Sequence, residues 1–240
     1  MNKHMQKLSM TVIGFGPMGK RFTKLFSNDF EVIVSSSRKV SIEVEKLGAK
    51  QTNDRQESIS KSDFVFLAVP INALSPLVFE INKFSKENTI IIDCCSARIL
   101  AEKELQKLQR NHFGLHDIKK GEYCVIGNID TRIESFFRRN EIGIREVSAE
   151  EHDQLNAIIG LGHFIGLTIG KHLSQNQLEV LGGIGSGSLL VELSNGLKGN
   201  SQTTWEETQI DNPYTKILRK ELISAFQKYD KSLEKGIFPY

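Results

Sequence analysis

Residues 11–19 read Thr11-Val12-Ile13-Gly14-Phe15-Gly16-Pro17-Met18-Gly19, a β-branched run that breaks at glycine and resumes with Phe22, Leu25 and Phe26 at helical spacing. This predicts a strand over residues 10–13, a tight turn, and a helix over residues 20–26. Each glycine has a separate task in such a turn. Gly14 permits the sharp change of direction, Gly16 clears space for a pyrophosphate, and Gly19 lets the helix approach the strand, while free amides at the helix start attract an anion. A GxGxxG string alone is a weak signal. Its place between a strand and a helix, at the head of a βαβ pattern, is the setting the motif requires, and it makes residues 14–19 (Gly14, Phe15, Gly16, Pro17, Met18, Gly19) candidate cofactor contacts.

Working outward, residues 31–35, 89–93 and 123–126 have strand composition, and residues 64–69 are apolar throughout, as in strands buried on both faces of a parallel sheet. Residues 40–47, 77–84 and 99–108 alternate with them at helical spacing. The order predicts an α/β fold with an N-terminal Rossmann-type doubly wound sheet. Near residue 147 the texture changes. Ser148-Ala149-Glu150-Glu151 has the form of a capping box, and Asn212-Pro213 supplies an N-cap and first-turn pair for a last helix running to about residue 233. The expected organisation is a dinucleotide-binding domain at 8–147 and a smaller all-helical domain at 148–240. Residues 182–188, rich in glycine and serine, have a flexible composition.

The 240 residues carry 31 Lys+Arg against 29 Asp+Glu, a net charge of +2. Nucleic-acid binding needs a concentrated basic face, so no nucleic-acid partner is expected. Three cysteines, two of them adjacent at Cys94 and Cys95, argue against a disulfide framework and for a reducing, cytoplasmic setting. Residues 1–9 are polar and basic, so no signal peptide or membrane anchor is expected. The histidines and cysteines lack zinc-ligand spacing, and no metal is expected.

The end of the second strand selects the cofactor. An acid there would bind the adenosine ribose hydroxyl, whereas Ser36, Ser37 and Arg38 offer hydroxyl donors and a planar cation to a 2′-phosphate, so NADP is favoured over NAD. Three further residues are candidates for substrate chemistry. Ser96 follows the strand at 89–93 and could orient a substrate or the nicotinamide, or simply cap the next helix. His116, expected in a loop, could take the proton of a substrate hydroxyl as hydride leaves, or lie on the surface. His163, among Leu161, Phe164 and Ile165, should be buried and need a partner, structural or substrate. Gly162, Gly166 and Gly170 share a helix face and would let another backbone come close.

Taken together, the chain resembles the prephenate/arogenate dehydrogenase family. The resemblance runs through residues 11–19, the Leu67-Ala68-Val69-Pro70 strand end, Ile91-Ile92-Asp93-Cys94-Cys95-Ser96, Leu115-His116, Glu151-His152-Asp153, Leu161-Gly162-His163-Phe164 and Asp211-Asn212-Pro213-Tyr214. It implies a small-molecule cyclohexadienyl substrate, a homodimer built through the helical domain, and Val69 and Pro70 beside the cofactor. It also implies a catalytic pair of Ser96 and His116 and a substrate contact at His163. The chain departs from the family after its histidine, where His116-Asp117-Ile118-Lys119-Lys120-Gly121 replaces a Pro-Met-Phe-Gly-Pro type of loop. The carboxylate-holding arginine of many members has no counterpart, and Arg219 is its candidate replacement. A dehydrogenase of another small hydroxy or amino substrate, or a non-catalytic NADP-binding protein, remain the alternatives.

Overall fold

The computed structural model describes residues 7–119, 121–181, 185–196 and 202–237. The chain divides into two compact units, Met1–Ala149 and Glu150–Tyr240.

In the first unit the β-branched and aromatic runs form β1 (Ser9–Ile13), β2 (Glu31–Ser35), β3 (Lys50–Thr52), β4 (Phe64–Leu67), β5 (Ile90–Asp93), β6 (His112–Lys119), β7 (Glu122–Gly127) and β8 (Gly143–Glu146). They make an eight-stranded sheet in the order β3-β2-β1-β4-β5-β6-β7-β8. Every described neighbour pair is parallel except β6 with β7. The helices are α1 (Pro17–Phe26), α2 (Ser41–Lys46), α3 (Arg55–Lys61), α4 (Leu74–Phe84), α5 (Arg98–Leu105) and α6 (Thr131–Arg139).

Period-two alternation sorts the strand side chains onto two cores. Val12, Phe66 and Ile92 join Phe22 and Phe26 of α1, Val44 of α2 and Phe136 and Phe137 of α6 on one face. Ile13, Leu67 and Ile91 join Ile59 of α3, Leu77 and Ile81 of α4 and Leu105 of α5 on the other. The sheet is therefore wound on both faces. β3, β8, α3 and α6 are not expected from the sequence pattern, and the segment around His116, expected to be a loop, forms β6 and pairs with β7 as an antiparallel hairpin, with an irregularity between Asp117 and Lys119. His116 is a strand residue.

The second unit is helical: α7 (Ala149–His172), α8 (Gln175–Leu181), α9 (Gly185–Gly196), α10 (Gln202–Glu206), a π-helical turn (Glu207–Asp211) and α11 (Pro213–Leu233). Of the glycine-serine stretch, residues 182–184 lie outside the described residues, and α9 begins at Gly185. A Cβ on Gly170 would lie 2.4 Å from Ser194 Oγ, so a side chain there would displace that hydroxyl of α9. Asn212, wholly buried, starts α11: its Oδ1 accepts from the amides of Tyr214 (3.0 Å) and Thr215 (3.3 Å), and its Nδ2 donates to the Asp153 carbonyl (2.8 Å). This one side chain satisfies helix-start amides and ties α11 to α7. No helix among the described residues is long and apolar enough to cross a membrane.

Candidate active site

The glycine turn leaves β1 with Gly14 at φ +98°, a left-handed conformation in which its N–H donates to the Ser35 carbonyl at 2.9 Å. A Cβ on Gly14 would meet the Ala68 carbonyl oxygen at 2.2 Å, and one on Gly19 the Gly14 carbonyl oxygen at 2.2 Å. Both positions are closed to any side chain by backbone. Gly16 differs: a Cβ there would meet nothing within 4 Å, so the space it clears is open and accessible to a ligand rather than filled by protein. Pro17 opens α1, where its missing N–H and fixed φ suit the first helical position. Phe15 and Met18 pack their side chains on the core, and Phe15, 2% exposed, leaves chiefly its backbone for a ligand.

At the end of β2, Ser36 is half-buried and Ser37 and Arg38 are exposed. Arg38 Nη2 donates to the Phe15 carbonyl at 2.6 Å, laying the cation against the glycine turn. Gln51 on β3 braces this loop, donating from Nε2 to the Arg38 carbonyl (2.7 Å) and accepting the Val40 amide on Oε1 (2.9 Å). Lys20 of α1 pairs with Glu43 of α2 and lies 5.4 Å from the Phe15 ring centroid. Lys20 holds the Glu43 carboxyl pKa below its ordinary range. Gln51, Lys20 and Glu43 escape a reading of motifs because their roles depend on strand and helix neighbours far away in sequence.

Ser96 and His116 come together. Parallel pairing sets Asp93 beside Gly114, so β6 runs on past the carboxyl end of β5 and carries His116 to the level of the Cys94–Ser96 segment. Ser96 Oγ lies 3.3 Å from His116 Nε2. The carboxyl ends of β1, β4 and β5, with Gly14, Val69-Pro70 and Ser96, thus share the sheet edge where open α/β folds bind ligands. Val69 packs on the core and its carbonyl faces Cys95 Sγ at 3.7 Å, while Pro70 is exposed. Next to His116, Asp117 accepts from Arg21 of α1 at 2.7 Å. Burial works against its charge, but His116 first and Arg21 second outweigh it, and the Asp117 carboxyl pKa is held below its ordinary value. The departure from a loop is therefore structural. β6 and β7 continue as a hairpin, pinned through Asp117 to the helix of the glycine turn.

In the second unit, His163 is half-buried on α7 with its ring centroid 6.0 Å from that of Trp205, and burial lowers its imidazole pKa. Arg219 of α11 is held by the π turn. Its Nη1 donates to the Gln209 carbonyl (2.5 Å) and to Gln209 Oε1 (2.8 Å), and its guanidinium lies 5.9 Å from the Phe164 ring centroid. Gln209 in turn donates to the Gly160 carbonyl at 2.7 Å, so Arg219 braces the π turn against α7. Among the described residues, no group of three or more His, Cys, Asp or Glu is placed to hold a metal ion.

Residues 9–97 match the family model described as NADP oxidoreductase coenzyme F420-dependent, which covers the glycine turn and the segment through Ser96. A Methanocaldococcus jannaschii protein named "probable arogenate/prephenate dehydrogenase" is 22% identical over 90% of this chain. Over that span the chain is similar to a protein carrying that name. It spans 55% of the length of that curated relative. Among prephenate/arogenate dehydrogenases of known structure, the A. aeolicus prephenate dehydrogenase in complex with hydroxyphenyl propionate and NAD+ superimposes with a TM-score of 0.75 at 14% identity, covering 98% of this chain and 93% of that one. The Synechocystis arogenate dehydrogenase does so with a TM-score of 0.58 at 17% identity, covering 95% and 90%. These likenesses establish the fold, a Rossmann-type sheet followed by a helical region.

Proposed function

We propose that the chain is an NADP-dependent oxidoreductase that oxidatively decarboxylates prephenate or arogenate. The observation that carries this reading is the 3.3 Å approach of Ser96 Oγ to His116 Nε2 on the sheet edge that also holds the glycine turn. Bound there, the nicotinamide would supply the hydride acceptor. The backbone of residues 14–19 would bind the pyrophosphate, consistent with the open space at Gly16 and the free amides of α1. Ser36, Ser37 and Arg38 would take the 2′-phosphate.

His116 accepts the proton of the ring hydroxyl as the carbon bearing it loses hydride. The carbon–carboxylate bond then breaks, carbon dioxide leaves, and its electron pair aromatises the ring. The resulting phenolate takes the proton back from His116. Ser96 orients the hydroxyl and the imidazole. His163 and Arg219 are the substrate contacts this reading assigns to the helical domain at 148–240, with Arg219 positioned by Gln209.

The same reading assigns dimerisation to the helical domain. The large exposed apolar side chains of its helices, among them Ile158, Leu189, Ile217 and Phe226, support that assignment. Phe226→Asp should then convert a dimer to a monomer in sedimentation, and an unchanged mass would count against it.

The function itself is tested by supplying purified protein with NADP+ and either prephenate or arogenate and following NADPH absorbance. Turnover of one of them supports the reading. Tight NADPH binding with no turnover of either replaces it with a non-catalytic dinucleotide-binding protein.

A further inference from the structure

We propose that Arg98 is a positioning residue, holding Ser96 against His116 from inside the protein. This rests on the reading of Ser96 and His116 as the reacting pair. Arg98 stands at the first position of α5 with 0% of its surface exposed, an unusual fate for arginine. Its Nη1 donates to Asp93 Oδ2 (2.5 Å) and the Cys95 carbonyl (3.4 Å), and its Nη2 to Asp93 Oδ1 (2.9 Å) and Glu102 Oε1 (2.7 Å). Asp93 Oδ2 also accepts the Cys95 amide at 3.0 Å. The buried pair therefore grips both the N–H and the carbonyl of Cys95, and that carbonyl belongs to the peptide that carries Ser96.

The other side of the guanidinium rests on β6. A Cβ on Gly114 would lie 2.0 Å from Arg98 Nη2 and 2.3 Å from Cζ, so residue 114 is glycine because Arg98 occupies the place of its side chain. Glu102 Oε2 lies 3.3 Å from His112 Nε2. Residues 112, 114 and 116 share one face of β6, since side chains alternate along a strand. One fork-shaped cation thus fixes the Cys95–Ser96 peptide and, through the same face of β6, the approach of His116. Burial disfavours the charge on Arg98, but Asp93 and then Glu102 outweigh it. An apolar residue could fill this volume; a planar fork fixes directions as well.

The test uses the full chain and two readouts: the pH titration of the His116 ring resonance by NMR, and NADP-linked turnover. Besides Ser96, the groups near His116 among the described residues include Asp117 on its own strand, Arg21 from α1 paired to Asp117, and Cys124 opposite it on β7. All remain in the variants. Ser96→Ala defines how the His116 midpoint moves when the contact is lost.

Arg98→Lys keeps the charge but not the fork. It should move the midpoint in the same direction, add nothing when combined with Ser96→Ala, and lower kcat about tenfold to a hundredfold with KM for NADP within about twofold. Glu102→Gln, on the less buried arm, should shift the midpoint the same way by less, and it decides the matter if Arg98→Lys does not fold. A His116 midpoint that ignores Arg98→Lys and Glu102→Gln, effects that simply add to those of Ser96→Ala, or a midpoint indifferent to Ser96→Ala each overturn the proposal. If the wild-type protein turns over neither substrate, the functional reading fails while the titration still decides the role of Arg98.

Discussion

The two units bury different balances of side chain. In the first, the interior is apolar and aromatic: Phe22, Phe26, Phe66, Tyr123, Phe136 and Phe137 interlock, with Phe22 and Phe66 ring centroids 4.3 Å apart and Tyr123 and Phe137 stacked at 5.7 Å. Among the described residues of the second unit, the buried set is chiefly polar, including His152, Asp153, Asn156, Thr208, Gln209, Asn212 and Thr215, while Leu155, Ile158, Ile223 and Phe226 are exposed. A sheet covered on both faces completes its own core and leaves an edge for chemistry. A helical unit with polar cross-links inside and apolar side chains outside is held by caps and hydrogen bonds, and its apolar surface calls for a cover. Substitutions at the sheet edge of the first unit should therefore act on catalysis and cofactor binding, and those at the caps and exposed apolar side chains of the second chiefly on stability and assembly.

The largest effect sharpens the catalytic half of that contrast. His116→Asn should lower kcat about 10²- to 10⁴-fold, the usual range for a general base, and leave the NADP dissociation constant within about twofold. Steady-state rates and a cofactor titration check both. Gly14→Ala comes next. Its methyl would be driven against the Ala68 carbonyl in a left-handed backbone, so NADP binding should be lost, with a stability cost of about 1–3 kcal/mol in denaturant unfolding. Arg38→Ala should weaken NADP about 10- to 100-fold and leave NAD nearly unchanged, as expected for one charge-assisted hydrogen-bonding partner. Equal losses for both cofactors would show that the loop supports the turn without selecting the phosphate.

How far these residues were legible follows from the same contrast. The glycine turn, the apolar strands and the alternation of elements speak through local periodicity, and the sheet follows from them. β6 did not, because His116-Asp117-Ile118-Lys119 mixes charge with its apolar residues and gains strand structure only from pairing with β7. The proximity of Ser96 and His116 is a product of register between β5 and β6, and no spacing in the sequence records it. Arg98 had one legible trace, the i, i+4 spacing to Glu102, but such pairs usually sit on a surface. In the second unit the Asn212-Pro213 helix start was plain. Arg219, by contrast, meets Gln209 through a π turn that breaks helical periodicity, so its partner could not be read from its position alone.

Smaller effects probe the second unit. Asn212→Ala removes the cap of α11 and its hydrogen bond to the Asp153 carbonyl, which should destabilise by about 1–3 kcal/mol and speed hydrogen exchange in α7 and α11, while NADP affinity stays within about twofold. Loss of NADP binding in this variant would break the separation of roles. The smallest effect is a pH dependence. Burial holds the folded-state pKa of His163 below the unfolded value, so the unfolded chain binds its proton first. The contribution of His163 is steady above the ordinary imidazole pKa, falls as pH drops through it, and levels off below the folded value. Thermal unfolding should show stability declining from pH 7 to pH 5, and His163→Phe should flatten that slope. Asp211, raised by burial and then by Glu206, works in the opposite sense and nearer the carboxylate range.

The central claim is that Ser96 and His116, set side by side at the edge of the dinucleotide sheet, remove a proton from a cyclohexadienyl hydroxyl as hydride passes to NADP. The direct measurement is NADPH formation by the purified protein with prephenate or arogenate, wild type against His116→Asn. The account predicts NADPH and carbon dioxide in equal amounts from one of the two substrates, with the rate collapsing in the variant. No NADPH from either substrate, or a His116→Asn variant as fast as wild type, would contradict it.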